Sequence, residues 1–263
     1  MIASWEAQGL LSMHVRPGSV GRSVLAAVCI AAAMAVTPQT HAQDLPGQPA
    51  EVDTALVVSV DVSNSVDERR YQVQMGGIAA ALEDSSVIDA ILSGPQGGIA
   101  IAMVVWADKP KTAIPWTVIR NPEDAAAVAA KIRKLPREGG EFTCVAGMLR
   151  NIADKLVTQI PVKASRIVVD VSGDGSENCN PVEPVDVIRD ELIEAGVTIN
   201  GLPILDGKEK ATLEEWYTNN VKGGPSGFVL PANGFEDFPR AIRQKFVIEM
   251  SALEAALEAP QKR

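Results

Sequence analysis

Asp61, Ser63 and Ser65 alternate directly after a short apolar run, residues 55–60 (ALVVSV). A carboxylate and two hydroxyls on one tight loop present hard oxygens. Mg²⁺, Mn²⁺ and Ca²⁺ prefer such donors and soft metals do not. One Ser/Asp loop is a weak signal, so the weight falls on matching oxygens elsewhere. Thr143 follows a Gly139-Gly140 turn, and Asp174 sits in Ser172-Gly173-Asp174-Gly175, just past another apolar run, 166–171. Each residue also has a plainer reading. Ser63 and Ser65 would cap the helix that follows them, Thr143 would be an N-cap, and Asp174 would be turn chemistry.

The elements that must carry these residues can be read from hydrophobic pattern and punctuation. Residues 55–60 and 98–106 are continuous apolar runs of strand length, as expected for strands buried on both faces. Residues 111–118 form a third strand, and Pro115 inside it places it at an edge. Ser65-Val66-Asp67-Glu68 reads as a capping box opening a helix to about residue 83. Gly76-Gly77 within it implies a small break or close packing onto the sheet. Asn121-Pro122 starts a helix to about 135, and 143–157 is helical. Strand 166–171 precedes a helix over 182–195, stopped by Gly196. Then come a strand at 197–203, a helix at 208–221, a short strand at 228–230 and an amphipathic helix at 235–250. This alternation predicts an α/β fold: a doubly wound, mostly parallel sheet of about six strands, helices on both faces, and one antiparallel edge strand. In such sheets ligands bind beyond the carboxyl ends of strands, where strand order reverses. The residues singled out above fall at such ends.

Composition narrows the chemistry. The chain has 263 residues, 46% hydrophobic, which suits one domain with tails. Arg16 and Arg22 precede a 14-residue apolar run at 23–36, and Thr40-His41-Ala42 supplies a small-residue cleavage site before Gln43. Residues 1–42 therefore read as a cleaved signal peptide, with an uncleaved anchor as the alternative and Met13 as an alternative start, and the protein as periplasmic or secreted. Residues 43–53 are a polar lead-in, 54–250 the domain, and 251–263 a tail or helix extension. The signal segment carries Arg16, Arg22 and Glu6, a net +1, so its removal takes the net charge from −9 to −10. An acidic domain argues against nucleic acid and anionic membrane surfaces, and no apolar run is long enough to span a membrane. Both histidines, His14 and His41, leave with the signal. That excludes Ser-His-Asp and Cys-His catalysis and His-ligated zinc or copper. Cys29 leaves too. The remaining pair, Cys144 and Cys179, suits a disulfide in an exported protein. Its loop of about 35 residues would be worth roughly 3–4 kcal/mol; the alternative is two free thiols.

Asp61-Val62-Ser63-Asn64-Ser65 after the first strand, Thr143 in the glycine-flanked loop, and Asp174 after the fourth strand together resemble the metal-ion-dependent adhesion site of von Willebrand factor A-type domains. The resemblance covers roughly 53–250 and is nearest to small exported bacterial members. It implies Mg²⁺, or Mn²⁺ or Ca²⁺, held directly by Ser63 and Ser65, with Thr143, Asp61 and Asp174 direct or through water. It also implies a protein partner whose acidic side chain completes the coordination. Two carboxylates and three neutral hydroxyls balance a divalent charge while leaving the ion electron-poor, which favours an incoming carboxylate. Without metal, two carboxylates about 5 Å apart repel by about 3 kcal/mol at an effective dielectric of 20. Glu141-Phe142 depart from the small residues many relatives carry before the Thr. A Cys144–Cys179 bridge would tether the Thr143 loop to the Asp174 loop.

Two other functions compete. A structural domain would bind metal only for stability. A Mg²⁺-dependent aspartyl-phosphate phosphatase would also place an aspartate after the first strand, but it needs a second one two residues on, where Ser63 stands. No motif positions a lysine. The expectation is therefore a binding module and not an enzyme. Trp106, Trp116 and Trp216 are expected in the core, and Asp108 near the upper rim of the sheet.

Overall fold

The computed structural model describes residues 51–258. The signal peptide expected over 1–42, with its cleavage position, lies outside the described residues, as do 43–50 and 259–263.

Strand β1 (Glu51–Asp61) is the centre of a five-stranded sheet and is buried along nearly its whole length. It pairs in parallel with β2 (Ile99–Trp106) on one side and β4 (Lys163–Gly173) on the other. Strand β5 (Val197–Pro203) runs parallel to β4, and β3 (Pro110–Ile119) runs antiparallel on the far edge beside β2. The order is β3-β2-β1-β4-β5. β1 takes in the last residues of the expected lead-in because Glu51 and Val52 already pair with Lys163 and Ala164. The register of β2 against β3 shifts between Ile101 and Met103, opposite Pro115 and Trp116, as a proline on an edge strand requires.

The sheet has five strands where about six were expected. The segment expected as a sixth makes only isolated bridges, Gly201 to Val229 and Ile204 to Ala232. The Leu230 and Ala232 amides do donate to Gly201 O and Pro203 O at 2.9 and 3.0 Å, but the Phe228 amide is diverted to Asn200 Oδ1 at 3.0 Å, and the pairing stays a set of isolated bridges.

Alternate residues of the central strands feed two cores. Leu56, Val58 and Val60 pack beneath α1 (Glu68–Glu83), α2 (Ser85–Leu92), α3 (Pro122–Ile132) and α7 (Phe238–Glu258). Val57, Val104 and Trp106 pack beneath α4 (Val145–Asn151), α5 (Val185–Glu194) and α6 (Leu213–Asn220). Trp106 is fully buried, while Trp116 and Trp216 are partly buried against the second core.

Three details depart from the sequence reading. Helix α2 was not expected; Asp84 ends α1 and also caps α2 through the Ser86 amide at 2.9 Å. The helix expected over 143–157 is α4 followed by a π turn (Ile152–Leu156) and a 3₁₀ turn (Val157–Gln159). Helix α1 runs unbroken through Gly76-Gly77, and the close packing at Gly77 is onto α7, not the sheet. A Cβ there would come within 3.1 Å of Pro239 and 3.2 Å of Phe238.

Helix α7 carries more than an apolar face. Lys245 is fully buried, with Nζ 2.8 Å from Asp170 of β4 and 2.5 Å from Glu249. Asn200 of β5 donates to the same Glu249 carboxylate at 2.7 Å. This network ties α7 to the sheet below the site. Among the described residues no helix is long and apolar enough to cross a membrane.

Candidate metal centre

From β1 the chain passes to β2 on one side; after β3 it crosses back and enters β4 on the other side of β1. Strand order therefore reverses at the β1/β4 boundary, with the carboxyl ends of both strands side by side. Asp61 ends β1, and Asp174 directly follows β4. The loop before α4 brings Thr143 over them.

The structure brings all five oxygen-bearing residues together. Asp61 Oδ1 accepts from the Ser63 amide at 2.8 Å, closing the first loop on itself. The Ser63 and Ser65 hydroxyls lie 3.2 Å apart. The Thr143 hydroxyl is 3.3 Å from Ser63 Oγ, and the Ser65 hydroxyl donates to Asp174 Oδ1 at 2.6 Å. Ser63, Thr143, Asp61 and Asp174 are all buried.

The capping readings do not describe these residues. The N-cap of α1 is Asp67, which accepts from the Arg70 amide at 2.8 Å, so the expected capping box at Ser65 is not formed. An aspartate two residues on caps better placed amides and frees Ser65 to face Asp174. Likewise Cys144, not Thr143, stands at the N-cap of α4. The amide of Ala146 is instead satisfied by Glu177 from the opposite loop at 2.8 Å.

Close approach demands glycine at two places. A Cβ on Gly173 would come within 2.9 Å of Asp61 Oδ2 and 2.8 Å of the Tyr217 hydroxyl. One on Gly140 would meet Ala107 Cβ at 2.8 Å and Asp108 Oδ1 at 2.9 Å.

Burial sets the electrostatics. Burial first, then the charge of Asp174, raises the Asp61 carboxyl from its ordinary 3.8 to about 7, against the opposing Ser63 hydrogen bonds. Asp174 is also raised by burial, opposed by the Ser65 hydroxyl and the Arg70 charge. Asp61 Oδ2 and the Tyr217 hydroxyl are both buried without a hydrogen-bond partner among the described residues. An unpaired buried carboxylate oxygen is costly. A hard divalent cation would relieve it, and the clustered hydroxyls supply the neutral oxygens such an ion takes. The residues present thus fit a hard cation. Among the described residues no group of three or more His, Cys, Asp or Glu side chains could hold a metal, so a cation here depends on the hydroxyls.

Cys144 and Cys179 are joined as a disulfide. It fastens a clamp made by neighbouring residues. Asn178 Oδ1 accepts from the Thr143 amide at 2.7 Å, and the Asn178 amide donates to Thr143 O at 3.1 Å. Glu177 accepts from the Cys179 amide at 2.7 Å as well as from Ala146. On the other side, Asp108 Oδ1 takes the amides of Glu141 and Phe142 at 2.8 and 2.7 Å. Asp108 therefore shapes the Thr143 loop, where the sequence suggested only a place near the upper rim. Phe142 stands exposed at the tip of that loop.

Sequence reasoning missed several contributors. Arg137 grips the first loop from outside, with Nε on Val66 O at 2.7 Å and Nη2 on Ser63 O at 3.1 Å. Arg70 donates to Ser65 O at 2.6 Å and reaches 3.9 Å from Asp174 Oδ2. A signal for Arg70 existed: Arg69 and Arg70 occupy the first turn of α1, where the helix dipole disfavours cations. Tyr217 carried no such signal, since only the placement of α6 over β4 and β5 brings it to Asp61.

The family model described as "Protein of unknown function (DUF1194)" matches residues 51–254. No curated protein matches the chain. Among solved structures, proximal thread matrix protein 1 from the mussel byssus is 20% identical, covering 78% of this chain and 49% of that one, with a TM-score of 0.57. A second structure of that protein, described as having a zinc-occupied MIDAS motif, matches with the same values. A von Willebrand factor type A structure from Catenulispora acidiphila is 15% identical over 77% of this chain and 43% of that one, with a TM-score of 0.53. The chain spans about half the length of these structures, and the likeness is one of fold.

Proposed function

The chain belongs to the DUF1194 family and has a von Willebrand factor A-type fold, and from the oxygen cluster at its strand-order reversal we propose that it is an exported, divalent-cation-dependent protein-binding module. Ser63, Ser65, Thr143, Asp61 and Asp174 would hold the ion, Mg²⁺ or else Mn²⁺ or Ca²⁺. When bound, the ion supplies a Lewis-acidic position for an acidic side chain of a protein partner. The chain's own residues do the rest. Asp61 orients the Ser63 amide, Asp108 and Asn178 hold the Thr143 backbone, and the disulfide keeps the two upper loops in register.

One observation carries the reading: three hydroxyls and two carboxylates from three separate loops form one cluster, four of its five residues buried and Ser65 open to solvent. A phosphatase reading gains nothing from it, because the position two residues after Asp61 offers the Ser63 hydroxyl in place of a second carboxylate. The reading of residues 1–42 as a signal places the module in the periplasm or outside the cell.

The test is a pull-down from envelope extract with wild type and Thr143→Val, each in Mg²⁺ and in chelator, with Mg²⁺ affinity measured by calorimetry. The expected result is a partner retained by wild type in Mg²⁺ alone. Mg²⁺ binding without any chelator-sensitive partner would point to a purely structural metal. N-terminal sequencing of the exported protein is expected to begin at Gln43.

A further inference from the structure

Arg70 is an unusual residue to find in the first turn of α1, where the helix end already carries partial positive charge. Other contacts fix it there. Nη1 donates to Ser65 O at 2.6 Å, Nη2 donates to Asp206 Oδ2 at 2.8 Å, and the guanidinium lies 4.8 Å from the Phe235 ring centre. The same Nη1 stands 3.9 Å from Asp174 Oδ2. The side chain nonetheless stays 35% exposed. It walls a cavity of about 460 Å³ with the apolar Val73, Leu205 and Phe235 and the charged Asp67, Lys210 and Glu236, and its bond to Ser65 O joins that cavity to the oxygen cluster. That volume is in the range of ligand pockets.

The physics of this placement points one way. A guanidinium has five N–H donors, and two are used by Ser65 and Asp206, so three are free. It is a like charge to any cation in the cluster, so by itself it opposes the metal. It becomes favourable when an anion joins them, because a planar guanidinium grips carboxylates by charge-assisted hydrogen bonds.

We propose that Arg70 is a selectivity-determining residue: a partner carboxylate directed to the cation also takes N–H bonds from Arg70, and the chain bearing it continues into the adjoining cavity, where Val73, Leu205 and Phe235 offer apolar contact. This rests on the metal-dependent reading above and adds to it. Arg70 couples cation and carboxylate, so each binds better in the presence of the other.

The test uses wild type, Arg70→Met and Arg70→Lys. Mg²⁺ alone is titrated by calorimetry. A fluorescent peptide with one glutamate between leucines, and its glutamine twin, are then titrated by anisotropy in Mg²⁺. Arg70→Met is expected to keep Mg²⁺ affinity at or above wild type while losing the glutamate peptide about ten- to a hundredfold. Arg70→Lys, charged but without the planar fork, is expected to fall between. Equal losses of Mg²⁺ and peptide affinity in Arg70→Met would reduce Arg70 to a loop support, and an unchanged peptide affinity would overturn the proposal outright. Failure of the underlying reading looks different: wild type itself would bind Mg²⁺ but not distinguish the glutamate peptide from its twin, or would bind no Mg²⁺ at all.

Discussion

Replacing Asp61 by Asn should stabilise the metal-free protein and abolish its response to metal. Asp61 is fully buried, and its Oδ2 has no hydrogen-bond partner among the described residues. Its carboxyl is raised from 3.8 to about 7, chiefly by burial and then by Asp174. A carboxyl that holds its proton more tightly when folded favours the fold in acid. That stability is fully present below about pH 4 and is lost as pH rises through about 7. At about 1.4 kcal/mol per pH unit, the loss is ~4 kcal/mol as an upper bound. For a domain of about 200 residues each kcal/mol moves Tm by ~2–4 °C, so metal-free wild type should melt roughly 8–16 °C lower at pH 8 than at pH 4 on this account. Asn keeps the acceptor for the Ser63 amide, carries no charge, and should remove the Asp61 share of the slope, leaving that of Asp174 and Asp170, whose carboxyls burial also raises. Millimolar Mg²⁺ should restore wild type at pH 8 and leave Asp61→Asn unmoved. Circular-dichroism melts in chelator and in Mg²⁺ across this range decide it. Equal pH slopes for the two proteins in chelator, or equal Mg²⁺ gains, would refute the reasoning.

Gly173→Ala should cost about 1–3 kcal/mol and weaken Mg²⁺ binding, because its Cβ would press on Asp61 Oδ2 and the Tyr217 hydroxyl; denaturant unfolding and calorimetry read both. Lys245→Met leaves Asp170 and Glu249 buried without their cation and should cost about 3–5 kcal/mol, seen as a lower denaturation midpoint. Replacing Cys144 and Cys179 by Ala should cost about 2–4 kcal/mol and lower Mg²⁺ affinity, since the bridge fastens the Asn178 clamp on Thr143. Unchanged Mg²⁺ affinity in that variant would confine the bridge to a stabilising role.

Much of the scaffold was legible without coordinates because its signals are local. Continuous apolar runs at 55–60 and 98–106, of strand length, read as strands covered on both faces, and they are the central strand of the sheet and its neighbour. Pro115 marked the edge strand, since a proline leaves a hole in any interior ladder. Asp61, Ser63 and Ser65 stood out because their period places three oxygens on one loop. What failed locally did so where two residues compete for one role. Asp67 and Ser65 can both cap α1, and only the presence of Asp174 across the sheet shows that Ser65 is wanted elsewhere.

The sequence by itself therefore determined the strand–helix alternation and the oxygen types, both properties of short stretches, while the disulfide it made available was settled by the fold. Only the tertiary structure decided that Ser65 meets Asp174 across 109 residues, that Arg70 meets Asp206 across 136, and that Lys245 is buried against Asp170. Those contacts exist because β4 crosses to the far side of β1 and α7 returns to the sheet. Strand order leaves no trace in local periodicity, so the residues that depend on it become visible only once the chain is folded.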